Sequence, residues 1–142
     1  MILYLDTSAL LKLYLEEPES PHVRERISEA SGCFTHLVTW PELCAALARA
    51  VRVERITEAE QRTQQIRAGR DWQRLHRLLV DESLVRRAGE LAELHGLRGY
   101  DSVHLAAAER IAGEAGTENV LFATYDRTLF GAAEILGLGL LH

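Results

Sequence analysis

The sequence predicts an α/β domain built around a mostly parallel sheet, because strand-like and helix-like segments alternate along the chain. Short apolar runs at residues 2–5, 33–38 and 120–123 have the length and composition of buried strands. Each run is followed by a segment in which apolar side chains recur at helical spacing. With 142 residues and no repeat or linker, the chain is expected to form a single domain over residues 1–142.

Two helices are predicted between the first strand and the second. Residues 8–17 follow the strand at 2–5 and have a helical pattern that Pro18 ends. Ser20 and Pro21 suit the N-cap and the first helical position of the next helix, which should run to about residue 30. The chain then returns to the sheet.

Capping and turn residues mark the helices in the rest of the chain. Thr57 and Glu60 form a capping-box pattern at the start of a long polar helix. A helix that begins at Asp81 has Gly96 placed at its end. The other predicted elements are a helix from Thr39, a strand or helix end at 75–80, a helix from Gly99, a strand at 120–123, a helix at 127–136 and a short strand at 139–141.

Composition and charge are those of an ordinary soluble protein, with 47% apolar and 26% charged residues and a net charge of −5. No apolar stretch is long enough to span a bilayer, and Asp6 interrupts the apolar N-terminus where a secretory signal would need to continue. A cytoplasmic location and no membrane partner are therefore expected. Between Arg49 and Arg98 the chain nevertheless has eleven arginines against eight acidic residues. Base composition of the genome can explain this bias, and so can phosphate binding.

Four carboxylates fall where sites form in α/β domains. Asp6 and Asp126 come just after predicted buried strands, and Glu42 and Asp101 lie in the first turns of predicted helices. The carboxyl ends of parallel strands and the starts of the following helices share one edge of the sheet. Acids gathered there repel each other unless a cation joins them. The pattern therefore predicts a metal-dependent enzyme, and the absence of clustered Cys or His ligands argues against zinc.

Structural roles compete with this interpretation for Asp6 and Glu42. Asp6 can cap the following helix, although Thr7 and Ser8 are also able to do so. Glu42 stands three residues after Thr39, which matches a capping box as well as it matches a metal ligand. The sequence leaves both alternatives open for Glu42.

The other two acids also have structural alternatives. Asp101 suits the positive end of a helix dipole, and His104 follows on the same helix face, so the two side chains can meet. Asp126 can cap its own helix. Thr124 lies two residues before Asp126 and points to the same side if the strand continues that far.

Four segments of the chain resemble the successive motifs of PIN-domain proteins, and most closely the VapC-type toxins of toxin–antitoxin pairs. The resemblance covers essentially the whole chain, and the order and spacing of the segments are more specific than any one of them. The segments are Leu5–Leu10, Thr39–Leu43, Tyr100–Ala106 and Ala123–Asp126.

This resemblance implies a three-layer α/β/α sandwich and a Mg²⁺- or Mn²⁺-dependent endoribonuclease. It also implies a homodimer and a cognate antitoxin that blocks the acidic groove. Arg49, Arg52 and Arg55 are the candidates for RNA contact, with a solvated helix face as the alternative. The residues that match the catalytic and metal-binding positions are Asp6, Glu42, Asp101 and Asp126, with Thr124 and Ser8 as supporting polar groups.

Other functions remain possible on the same fold. A non-catalytic module that binds RNA or protein is one, and a housekeeping nuclease of RNA processing is another. A phosphatase that uses an aspartyl nucleophile is disfavoured, because its second acid would have to stand at position 8, which is Ser8. The lysine that such enzymes need late in the chain is also missing, since Lys12 is the only lysine.

Overall fold

The fold is described by a computed structural model that covers all 142 residues. One or two helices separate each strand from the next, as the sequence predicts for an α/β domain. In chain order they are β1 (Ile2–Leu5), α1 (Thr7–Leu11), α2 (Ser20–Glu29), β2 (Gly32–His36), α3 (Thr39–Arg52), α4 (Glu58–Trp72), β3 (His76–Leu78), α5 (Glu82–His95), α6 (Gly99–Ala115), β4 (Val120–Ala123), α7 (Arg127–Ile135) and β5 (Gly139–Leu140), with a short 3-10 helix at Thr117–Asn119 before β4.

The five strands form one parallel sheet in the order β3-β2-β1-β4-β5. On one side of β1 the chain adds β2 and then β3, and on the other side it adds β4 and then β5. The direction of winding therefore reverses between β1 and β4. In open parallel sheets this switch point opens a crevice beyond the carboxyl ends of the two strands.

Helices cover both faces of the sheet, which confirms the predicted three-layer sandwich. Side chains of α1 to α4 pack with Leu3 and Leu5 on one face. Side chains of α5 to α7 pack with Tyr4 and Phe122 on the other. Because successive residues of a strand point to opposite faces, β1 is buried on both sides and reads as a continuous apolar run.

Two details of the first helices differ from the prediction for residues 8–17 and for Ser20. Helix α1 ends at Leu11, and tighter i to i+3 hydrogen bonds replace the helix over the following residues, for example from the amide of Leu13 to the carbonyl of Leu10. Lys12 is buried there and binds Glu17 and Glu19. Ser20 is already helical, and its hydroxyl accepts a hydrogen bond from the amide of Glu17.

Most other boundaries agree with the sequence prediction. The capping box of Thr57 and Glu60 is formed, and Gly96 ends α5 in the left-handed conformation with φ of 63°. The undecided segment at 75–80 contains the short edge strand β3. None of the helices is long and apolar enough to cross a bilayer.

Gly139 is required where β5 passes close to the start of β4. A Cβ atom at this position would lie 2.6 Å from the carbonyl oxygen of Val120. We expect Gly139→Ala to lower the free energy of unfolding by about 1–3 kcal/mol, the usual cost of overpacking. Urea unfolding followed by circular dichroism measures the change.

The matched control is Gly89→Ala on the exposed face of α5, where a Cβ meets nothing within 4 Å. This variant should be stabilised by up to about 1 kcal/mol, because alanine favours the helix over glycine. Equal stability of the two variants would contradict the close approach at Gly139.

Candidate active site

The four predicted acids converge beyond the carboxyl ends of β1 and β4. Asp6 and Asp126 follow those two strands, Glu42 comes from α3 on one face of the sheet, and Asp101 comes from α6 on the other. All four line one open pocket of about 750 Å³, which we call the acid cleft. The other polar residues that line it are Thr7, Ser8, Arg49, Arg52, Arg98 and His104.

Asp6 is the most buried of these acids, with 3% of its surface exposed. Its Oδ1 accepts hydrogen bonds from the hydroxyl of Ser8 at 2.7 Å and from the amide of Ala9 at 2.9 Å. Its Oδ2 accepts a 2.6 Å bond from the hydroxyl of Thr124. Burial nevertheless raises the pKa of Asp6 above its ordinary value, against the lowering effects of His104 and these hydrogen bonds.

Asp6 is itself the N-cap of α1, a role that the sequence left open to Asp6, Thr7 and Ser8. Ser8 instead supports the site, since its Oγ accepts a 2.8 Å hydrogen bond from the amide of Tyr125 while donating to Asp6. Thr124 likewise accepts from the amide of Asp126 at 3.2 Å while donating to Asp6. The two hydroxyls therefore join the ends of β1 and β4 through one carboxylate.

Glu42 does not form the capping box that its spacing from Thr39 allows. Thr39 is already helical, and its hydroxyl pairs with that of Thr35 at 2.7 Å inside the core. The Oε1 of Glu42 accepts a 2.7 Å bond from Thr7 and lies 2.8 Å from Nε2 of His104. Burial raises the pKa of Glu42, but the contacts with His104 and Thr7 outweigh burial and bring it below the ordinary value.

His104 is a buried link between Glu42 and the central strand, with 1% of its surface exposed. Its Nδ1 lies 3.1 Å from the hydroxyl of Tyr4, which is fully buried in β1. An ionised carboxylate only accepts hydrogen bonds, so Nε2 donates to Glu42, while Nδ1 pairs with the hydroxyl of Tyr4. The ring points towards α3, and the hydrogen bond to Asp101 that the helix spacing would allow is not formed.

Asp101 and Asp126 share one cation, the guanidinium of Arg98. Its Nε donates to Oδ2 of Asp101 at 3.0 Å, and its Nη2 lies 3.4 Å from Oδ2 of Asp126. Asp126 also caps α7 through Oδ1, which accepts from the amide of Leu129 at 2.8 Å. Arg98 itself is 81% exposed, so this pairing is weak and exchangeable.

Sequence reasoning missed Arg98, Tyr4 and the partner of His104. Arg98 had a signal, because it stands three residues before Asp101 at the start of a helix. Tyr4 had a weaker one, since a tyrosine within a buried strand needs a partner for its hydroxyl. Nothing local indicates that His104 meets Glu42, because the two are 62 residues apart.

The donor set suits a hard divalent cation, although it is not a finished cage. No group of three or more His, Cys, Asp or Glu side chains is already arranged to hold a metal ion. Mg²⁺ is commonly bound by one or two carboxylates together with waters and substrate phosphates, so a preformed cage is not needed. Arg98 occupies the place between Asp101 and Asp126 where positive charge is stabilised.

Two of the three arginine candidates lie at this cleft. Arg49 and Arg52 line it from α3. Arg55 does not, since its guanidinium is paired with Glu17 at 3.1 Å and contacts the carbonyl of Glu16. Arg55 therefore lies beside Glu17, on a part of the surface outside the acid cleft.

Comparison with known proteins identifies the family. The family model of the PIN domain matches residues 3–134. Ribonuclease VapC45 of Mycobacterium tuberculosis is 31% identical over 140 residues, which covers 96% of this chain and 92% of the relative. The chain therefore belongs to the PIN-domain family, among its VapC ribonucleases.

Solved structures share the fold at lower identity. A toxin–antitoxin complex from Klebsiella pneumoniae has a chain with a TM-score of 0.66 and 17% identity, over 99% of this chain and 96% of that one. VapC20 of Mycobacterium tuberculosis, described as a toxin that cleaves the sarcin–ricin loop, has a TM-score of 0.68 and 15% identity, over 92% and 94% of the two chains. These likenesses establish the same arrangement of sheet and helices.

The hydroxyl of Thr124 provides a sharp test of how Asp6 is held. Thr124→Val keeps the shape of the side chain but leaves a buried carboxylate with one donor fewer. The free energy of unfolding should fall by about 1–3 kcal/mol, measured by urea unfolding at neutral pH. Thr63→Val on the exposed face of α4 is the control and should change stability by less than about 0.5 kcal/mol. Equal effects of the two changes would mean that the Thr124 bond is dispensable.

Proposed function

We propose that the protein is a divalent-metal-dependent endoribonuclease and the toxin of a toxin–antitoxin pair. The observation that carries this proposal is the convergence of Asp6, Glu42, Asp101 and Asp126 at the switch point of the sheet. The VapC relatives support RNA as the substrate, since they are named ribonucleases. RNA as a substrate also fits the cytoplasm as the site of action.

Asp6, Asp101 and Asp126 are the residues that would hold Mg²⁺ or Mn²⁺, with Glu42 as a further ligand or as the residue that orients water. A bound divalent ion would supply the positive charge that makes a water nucleophilic and stabilises the leaving oxygen. The three donors around Asp6 fix its carboxylate before substrate arrives. Such second contacts orient ligands and tune their strength.

Glu42 would position the attacking water. Its two contacts, from Thr7 and His104, both use Oε1. Oε2 is therefore left to accept a hydrogen bond from a water in the cleft. His104 keeps the carboxylate in this orientation, because Tyr4 in the central strand holds the ring from the other side.

The arginines around the acid cleft would bind the RNA backbone. Arg49 and Arg52 lie on the α3 side of the cleft and can contact phosphates next to the acids. Arg98 pairs with two site acids in this structure, and a metal ion bound by those acids would release it towards substrate. Affinity for RNA should consequently decrease as salt concentration rises.

An antitoxin and a second copy of the chain are the proposed protein partners. The Klebsiella pneumoniae complex, which has the same fold, contains a toxin and its antitoxin. An antitoxin that covers the acid cleft would have to neutralise its acids, as Arg98 does for two of them. The homodimer rests on the resemblance to VapC-type toxins.

The cleavage test compares two acids of the site with an acid outside it. Purified protein should hydrolyse unstructured RNA with Mg²⁺ or Mn²⁺ and stop when EDTA is added. Asp6→Asn and Asp101→Asn should each lower the rate by at least about 100-fold, because changes to outer contacts of metal sites already cost up to that much. Gel electrophoresis of labelled RNA measures the rate.

Glu93→Gln is the control, because Glu93 is exposed on α5 and away from the cleft. Its activity should equal that of the unmodified protein. Full activity in Asp101→Asn would contradict the assignment of Asp101 to the active site. Cleavage that persists in EDTA would contradict the dependence on a metal ion. Copurified antitoxin must be stripped first, since it would mask the activity.

Arg98 provides a measurement of metal binding that does not depend on cleavage. Arg98→Gln removes the cation that competes for Asp101 and Asp126. Mn²⁺ should bind roughly three- to tenfold more tightly by isothermal titration calorimetry, given that exposed ion pairs are each worth about 1 kcal/mol or less. Arg86→Gln, which breaks an exposed pair with Glu82 on α5, should leave Mn²⁺ affinity unchanged. Unchanged or weaker binding in Arg98→Gln would contradict the assignment of Asp101 and Asp126 as metal ligands that compete with Arg98 for a cation.

A further inference from the structure

A second pocket lies beside the acid cleft and has no part in the cleavage chemistry described above. It has a volume of about 410 Å³ and is formed by the end of β4, the first turns of α7 and the last residues of the chain. Asp126 lines both pockets. Thr124, which holds Asp6, also lines the second one. Whatever occupies this pocket is therefore next to the proposed point of hydrolysis.

The walls of this second pocket suit a flat, apolar group. Tyr125, Phe130 and Leu141 are its hydrophobic lining residues, and the ring of Phe130 meets the ring of His142 edge-on with centroids 5.3 Å apart. Nζ of the buried Lys12 lies over the Tyr125 ring at 4.2 Å from the centroid and so contacts one face of that ring. Aromatic side chains stack on bases of single-stranded nucleic acid.

The rim of the pocket carries a cation that no acid of the protein neutralises. Arg127 follows Asp126 directly, lines the pocket and is exposed. Arg98 in the neighbouring acid cleft is bound to carboxylates, whereas none of the ion pairs of the chain involves Arg127. A free guanidinium beside an aromatic pocket is complementary to a nucleotide, which presents a planar base and a phosphate.

We propose that this aromatic pocket is a nucleotide subsite, which holds one unpaired RNA base next to the scissile phosphate. The base stacks against Tyr125 and Phe130, and the phosphate of the same nucleotide is bound by Arg127. The inference rests on the proposed ribonuclease function and deepens it, since it assigns one base of the RNA substrate to a pocket outside the acid cleft. An apolar side chain of a protein partner would fit the walls but would leave Arg127 without an anion.

Binding of a defined RNA tests the subsite separately from cleavage. The probe is a short fluorescein-labelled oligouridylate, whose affinity is measured by fluorescence anisotropy at low salt with Ca²⁺ in place of Mg²⁺. Phe130→Ala and Phe130→Leu should each weaken binding roughly 5- to 100-fold, the range expected for the loss of one base stack. The leucine variant keeps an apolar side chain, so it separates stacking from packing.

Ile135→Ala is the matched control, because Ile135 lies on the same helix and is 76% exposed outside the pocket. Its affinity for the oligouridylate should be unchanged. Arg127→Gln should also weaken binding and reduce its dependence on salt. In a parallel experiment, 4-thiouridine in the same oligonucleotide should crosslink to the peptide that contains Tyr125 and Phe130, as located by mass spectrometry.

The subsite would be overturned by unchanged affinity in both Phe130 variants, by no measurable affinity of the unmodified protein for the oligouridylate, or by crosslinks that map only to other peptides. Loss of antitoxin binding in the Phe130 variants with unchanged affinity for RNA would also overturn it and would assign the pocket to the protein partner. If cleavage depends on metal but the Phe130 variants bind the oligouridylate normally, the nuclease function is supported and the subsite is rejected. If the oligonucleotide crosslinks to the pocket but the protein cleaves no RNA, the subsite is supported and the nuclease function is rejected.

Discussion

A negative charge has to be accommodated at the end of the central strand, and much of the architecture around the acid cleft serves that requirement. Asp6 is almost completely buried, and its pKa is raised by that burial. An unsupported carboxylate there would be costly. The chain supplies one donor from the start of α1, one from Ser8 and one from Thr124 at the end of β4. The helix start and the neighbouring strand are thereby tied to the same two oxygen atoms.

The strand order then determines which parts of the chain can reach this charge. Because winding reverses between β1 and β4, the crevice opens directly above Asp6 and is bordered by helices from both layers. Helix α3 contributes Glu42 from one layer, and α6 contributes Asp101 from the other. His104 and Tyr4 connect the two layers across the end of the sheet. The acids are thus brought together by topology, and each is held by hydrogen bonds to its own neighbours.

Local patterns in the sequence predicted the features that depend on interactions between residues close together in the chain. The order of elements, the capping box at Thr57, the left-handed Gly96 and the position of the acids at one edge all follow from spacing and residue type. The role of Glu42 could not be decided in this way, because a capping box and a site residue require the same spacing. The choice is made by Thr35, which takes the hydroxyl of Thr39, and by His104, which lies far along the chain. Long-range partners of this kind leave no periodic trace in a single sequence.

Asp6 and Asp126 are both helix N-caps, and this double use constrains how such a protein can decay during evolution. Asparagine caps a helix about as well as aspartate, whereas alanine does not. Under the site assignment proposed above, a lineage that loses its activity through Asp→Asn would therefore keep these two helix starts and could persist as a binding protein. A lineage that loses it through Asp→Ala would also weaken a helix start and be removed by degradation. Folded but inactive descendants are accordingly expected to carry amides at these two positions.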